Sequence, residues 1–146
     1  MYDTYQKYTN GSSKGYSMIK VNSSEYNCPF EVAIDIMDGK WKLYILWHLR
    51  HKTRRFSDLK RRVPGITQKM LTQKLRELEE EKIVNRKVYA EVPPRVEYSL
   101  TEFGKQLEPI MEMLLEWGHF YSVAYGESDY EYECRPKNDK LIDIAS

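Results

Sequence analysis

The sequence predicts a mainly α-helical fold with one small β-hairpin. Three observations lead there. Apolar residues recur at helical steps in several separate stretches, Asp38-Gly39 and Pro64-Gly65 punctuate those stretches, and a single region after Ile83 switches to the alternation of a strand pair. At 146 residues the chain falls within the roughly 100–200 residues of one domain.

A first helix opens at Pro29, with Cys28 as its N-cap, and draws apolar surface from Val32, Ile34, Ile36 and Met37 before Asp38-Gly39 ends it. Trp41 to Arg50 is apolar on most sides, so it reads as the central pillar of a small helical core. Ser57 is the expected N-cap of a third helix through Leu59 and Val63, which stops at Pro64-Gly65. Thr67 caps a fourth, where Leu71, Leu75 and Leu78 define one buried stripe. Val84, Val88, Val92, Val96, Tyr98 and Leu100 then alternate around Pro93-Pro94 and predict a two-stranded hairpin with a long tip. Thr101 is expected to cap a last helix with Phe103, Leu107, Ile110, Leu114, Trp117 and Tyr121 on one stripe, which Pro109 should kink or displace by one turn. Residues 1–27 read as a disordered arm, 28–125 as the domain and 126–146 as an acidic tail.

Composition excludes several function classes. No run approaches the ~18 apolar residues of a membrane-spanning helix, and the N-terminus lacks the apolar block of a secretory signal, so the chain is expected to stay in the cytoplasm. Cys28 and Cys134 match neither a zinc spacing nor a dense disulfide framework and are expected as reduced thiols. Nucleotide-binding glycine motifs and nucleophile elbows are missing. His48 and His51 sit three apart, but no third metal ligand accompanies them, and His119 reads as packing. An enzyme is not expected, nor a metal or other cofactor.

The net charge is only +1, yet it is segregated. From Lys40 to Arg76 there are twelve Lys or Arg against one acid, Asp58, while residues 126–146 hold six acids against three bases. That distribution points to a polyanion partner. Helix, Pro-Gly turn, helix and hairpin in this order is the plan of a winged helix-turn-helix, whose second helix enters the major groove of double-stranded DNA. With the Leu71 stripe inward, Lys69, Gln73 and Arg76 fall on the opposite face and Thr72 on its flank, a set of residue types able to read bases. Arg54, Arg55, Lys60, Arg61, Arg62 and Thr67 are candidate phosphate contacts. Arg95, after the stiff Pro93-Pro94, either projects from the wing into a minor groove or pairs with Glu91 or Glu97. Lys40 and Lys42 are either solvated helix ends or phosphate contacts. A winged-helix module that binds protein alone is the competing reading, but such modules lose a basic face of this kind. The last helix carries more apolar surface than one small core can bury, so Leu107, Ile110, Met111, Leu114, Trp117 and Tyr121 are expected at a homodimer interface.

Cys28-Pro-Phe-Glu, Asp38-Gly-Lys-Trp-Lys, Arg55-Phe-Ser-Asp-Leu, the run from Pro64 to Glu79 and Val92-Pro-Pro-Arg-Val-Glu-Tyr-Ser-Leu-Thr together resemble the HxlR-type regulators, from about Cys28 to Gly118. The resemblance implies a winged-helix homodimer with terminal dimerisation helices that binds a pseudo-palindromic operator, often as a repressor. Asp38 stands where the family commonly has a second Gly, and both tails are long, which leaves room for a small-molecule effector or other partners. Cys28 matches the N-terminal cysteine through which some members sense oxidants or electrophiles. Its N-cap position would favour a thiolate, whereas Glu31 opposes it and burial would make it inert.

Overall fold

The computed structural model describes residues 18–126. They belong to two compact units that divide between Asp38 and Gly39.

In the first unit, β1 (Ile19–Val21) and β2 (Ser24–Tyr26) form a hairpin inside the segment expected to be a disordered arm. Its two-residue tip, Asn22 and Ser23, has both φ values positive, at 47° and 70°. That conformation matches the twist of the flanking strands and costs least at asparagine or glycine. Lys20 and Glu25 face each other across the pair at 2.8 Å. Helix α1 (Pro29–Ile36) follows as expected, with Cys28 extended at its N-cap and Pro29 in the first turn. The Tyr26 hydroxyl donates to Asp35 at 2.6 Å and ties hairpin to helix. Residues 1–17 and 127–146, with Cys134 and the acidic tail, lie outside the described residues.

The second unit is built on α2 (Lys40–Leu49). Gly39 starts it at φ +81°, a left-handed conformation that glycine adopts without a Cβ penalty. Ile45, Leu46 and Leu49 of α2 are buried with Leu59 of α3 (Phe56–Arg62) and Leu71, Leu75 and Leu78 of α4 (Gln68–Glu80). Each such side chain contributes roughly 1.5–3 kcal/mol by leaving water, so this stripe fixes which face of α4 is left outside. The α3–α4 turn contains Gly65 at φ +76°, and Val63 and Ile66 pin it to the core. Thr67 caps α4, its hydroxyl accepting from the Met70 amide at 3.1 Å.

Further expectations need correction. Ser57 lies inside α3 rather than capping it, because the chain enters the helix from a strand and Arg55 occupies the cap position. That strand, β3 (Arg54–Arg55), pairs with β5 (Arg95–Leu100), which pairs with β4 (Val84–Tyr89), so the sheet has three antiparallel strands in the order β3-β5-β4. Thr101 does not open a long helix directly. Its hydroxyl accepts from the Gly104 amide at 2.9 Å in the turn that leads into a 3-10 helix, Gly104–Leu107, before α5 (Glu108–Tyr125). Pro109 therefore sits in the first turn of α5, where its missing N–H costs nothing, and does not kink it.

The faces of α5 hold another correction. Met111, expected at a dimer interface, is buried in the chain's own core. Leu115, Gly118, His119 and Ser122 are half-buried on the same side, at helical steps. The stripe with the largest apolar side chains points outward: Ile110, Leu114, Trp117 and Tyr121 are 42–65% exposed, beside Met113 and Phe120. Leu107, in the 3-10 turn, is half-buried.

Candidate nucleic-acid interface

With α4 anchored by its leucines, Gln68, Lys69, Thr72, Gln73, Arg76, Glu77 and Glu80 line one surface concavity on its outer face. Lys69 and Arg76 are exposed and form no ion pair with any described residue, so both remain available to a phosphate or a guanine edge. Thr72 is half-buried and its hydroxyl donates to the Gln68 carbonyl at 2.9 Å, which leaves its methyl group and oxygen lone pairs to the groove. Gln73 is exposed and donates through Nε2 to Glu77 at 3.1 Å. The four candidate readers are thus brought together.

The candidate phosphate contacts separate into two groups. Arg55, Lys60 and Arg61 are exposed, as is Thr67 at the start of α4. Arg54 and Arg62 are not, and this corrects their expected role. Asp58, in the first turn of α3, accepts from Arg54 Nη1 at 2.9 Å, Arg62 Nε at 2.9 Å and Arg61 Nη2 at 2.7 Å, and the Arg54 and Arg62 side chains keep only 13% and 8% of their exposure. Arg54 also donates to the His48 carbonyl at 3.0 Å. The pair is used internally, to fasten the wing sheet and α3 to α2. Burial pushes the Asp58 carboxyl up, but the hydrogen bonds from Arg54, Arg62 and Arg61 outweigh it and hold its pKa below the ordinary value. Burial and the neighbouring Arg54 and Arg62 push His48 down to about 4, so it is neutral at pH 7. Among the described residues no group of acids, histidines and cysteines is placed to hold a metal.

At the wing, Arg95 takes the second of its two readings. Its guanidinium lies 4.0 Å from the Tyr89 ring centroid and pairs with Glu91 at 3.0 Å and Glu97 at 3.4 Å, so it is folded against the strands rather than projecting. The exposed cations of the wing are Arg86 and Lys87 on β4, which sequence reasoning passed over.

Sequence reasoning also misread Lys42 and missed Glu77. Lys42 is neither a solvated helix end nor a phosphate contact: it is buried, with Nζ 2.7 Å from Glu81 and 3.3 Å from Glu77 of α4. Burial lowers its pKa, but the two carboxylates more than compensate and the net shift is upward. Lys74 reaches Glu77 as well, at 2.8 Å. The i, i+3 and i, i+4 spacings of Lys74 and Gln73 to Glu77 were readable; the partner from another helix was not.

A fold that offers one helix face of this kind beside a three-stranded wing has close relatives. The profile of HxlR-like helix-turn-helix proteins matches residues 36–125. The chain belongs to this family. It is 48% identical over 122 residues to the HTH-type transcriptional regulator YtcD of Bacillus subtilis, covering 83% of this chain and 97% of that protein. A second HTH-type regulator, from Methanothermobacter thermautotrophicus, is 52% identical over 107 residues, 73% of this chain and 82% of that one. Among solved structures, the redox regulator HypR in its oxidised form superposes with a TM-score of 0.61 at 52% identity, covering 64% of this chain and 96% of that chain. The reduced form of the transcriptional regulator YodB from B. subtilis superposes with a TM-score of 0.57 at 34% identity, covering 68% and 95%. This HxlR-like protein is a DNA-binding transcriptional regulator with a winged-helix fold. No helix among its described residues is long and apolar enough to cross a membrane.

Proposed function

We propose that this HxlR-like chain is a cytoplasmic repressor that acts as a homodimer on a pseudo-palindromic operator, by binding rather than catalysis. Residues 28–125 would be its DNA-binding and dimerisation domain. The observation that carries the reading is the outer face of α4, where Lys69, Thr72, Gln73 and Arg76 share one concavity and the leucine stripe prevents the helix from turning. On this reading those four side chains meet base edges, while Arg55, Lys60, Arg61 and Thr67 meet phosphates. Arg95 would have to leave Glu91 and Glu97 to enter a minor groove, an exchange an anionic groove favours. The two groups fail differently. Arg76→Ala or Gln73→Ala is expected to cost ~1–3 kcal/mol on the operator and relax preference at one position, whereas Lys60→Ala weakens all sequences alike. Titration of operator and random duplex with each variant checks this; an unchanged operator-to-random ratio for both Gln73→Ala and Arg76→Ala refutes it.

The outward stripe of α5 supports the homodimer, since Ile110, Leu114, Trp117 and Tyr121 form an apolar face that pairing across a two-fold axis removes from water. Cys28, half-buried at the N-cap of α1 with no side-chain cap hydrogen bond, is the residue through which an oxidant or electrophile would alter DNA affinity. The likeness to HypR, a redox regulator, supports that role. Sedimentation at micromolar concentration is expected to give about twice 17.5 kDa, and diamide is expected to change operator affinity in wild type but not in Cys28→Ser. A monomer, or equal affinity in all four samples, removes the respective part.

A further inference from the structure

The Glu77 carboxylate can only accept hydrogen bonds, and that fixes which end of the Gln73 amide faces it. The Nε2 group must turn inward, as it does at 3.1 Å, and Oε1 must turn away. An exposed glutamate on a helix would impose this weakly, because its own side chain moves. Glu77 is not such a residue. Its Oε2 is held by Lys74 at 2.8 Å and by the buried Lys42 at 3.3 Å, and Lys42 comes from α2 rather than from the reading helix. The carboxylate is therefore fixed from two helices, and its Oε1 accepts from Gln73 at 3.1 Å and from Lys74 at 3.2 Å.

We propose that Glu77, positioned by Lys42 and Lys74, sets the base preference of Gln73 by locking its amide with the oxygen outward, so that Gln73 selects a base carrying an exocyclic amino group in the major groove, adenine or cytosine, over guanine and thymine. Adenine N6 and cytosine N4 are the amino donors exposed there, and both suit an outward acceptor. The second amide hydrogen stays free and can donate to adenine N7. A free glutamine turns either end outward and accepts more bases. Glu77 touches no base in this account; it is a positioning residue, and it adds a negative charge that opposes binding to any duplex. The inference rests on Gln73 being a base contact.

The test is a selection from operator libraries randomised at each position, followed by titration of the preferred and random duplexes, for wild type, Gln73→Ala, Glu77→Ala and Glu77→Gln. Glu77→Ala is expected to reduce discrimination roughly 2–10-fold, the worth of one hydrogen bond, at the same position that Gln73→Ala affects, and to raise affinity for random duplex because a carboxylate is gone. A merely structural role would lower both affinities together. Glu77→Gln is the sharper variant. The two ammonium groups draw the oxygen of the introduced amide and turn its amino group toward Gln73, which must then reverse, so the preferred base changes to guanine or thymine. If Gln73→Ala relaxes one position while both Glu77 variants keep the wild-type preference there, the positioning role is wrong and the base contact stands. If Gln73→Ala alters no position, the base contact falls and the positioning role falls with it.

Discussion

Raising the salt from 50 to 200 mM is expected to weaken operator binding by three to five orders of magnitude. The figure follows from counting cations that are free to meet phosphates. Arg55 and Lys60 are exposed, Arg61 is exposed but shared with Asp58, and the wing adds Arg86 and Lys87. Some three to five phosphate contacts per subunit give roughly 6–10 for a dimer, and each releases condensed counterions, so the slope of log affinity against log salt is about −0.9 per contact. A monomer would show about half that slope. Binding isotherms across the series measure it; a fall of less than tenfold would mean fewer than about two phosphates neutralised and would sink the electrostatic footprint placed on this face.

Asp58→Ala is expected to destabilise the second unit by about 3 kcal/mol. The side chain is small, but its removal strands two guanidinium groups that keep 13% and 8% of their exposure, and breaking a buried ion pair from one side leaves an uncompensated charge. The estimate sits at the low end of such losses because Asp58 itself is 22% exposed and Arg61 is mostly in water. Asp58→Asn should cost less, since the amide oxygen still accepts. Acid should reproduce part of the effect: a carboxyl whose folded pKa is depressed stabilises the fold above its ordinary value of 3.8 and loses that contribution as the pH falls through the folded pKa. Thermal melts of the two variants at pH 7, and of wild type on acidification, check it. A melting point for Asp58→Ala within about 2 °C of wild type, where about 3 kcal/mol predicts well over 5 °C, would show that the cluster carries no net stability.

The elements legible in the sequence are those whose cause is local. Thr67, the Pro64-Gly65 turn and Leu71, Leu75 and Leu78 act within one helical turn or one helix face, so α4 and its outer face follow from spacing alone. What escaped depends on partners distant in the chain. Two residues of β3 are too few to alternate, and only pairing with β5 reveals them as a strand. Once Arg54 is in that strand it is drawn inward, and Asp58 then recruits Arg62; as residue types both looked like phosphate contacts. The apolar stripe of α5 was visible, but its direction was not, because the side that meets the core holds Met111 among smaller or polar residues such as Gly118, His119 and Ser122. Arg95 opens β5, and its pairing with Glu91 and Glu97 was one of two open readings.

The ammonium of Lys42 makes the reading helix incomplete when it is cut out of its protein. Residues 67–81 contain every side chain of the outer face together with the helix's caps, and a designer transplanting them into another winged-helix scaffold would count the graft complete. Unless the host offers a cation at the position of Lys42, Glu77 loses one of its two anchors and Glu81 keeps a carboxylate whose partner lies in the discarded donor. The transplanted segment would still be a helix, since its cap and leucines travel with it. Its sequence preference would not travel whole, because part of the code is written one helix away.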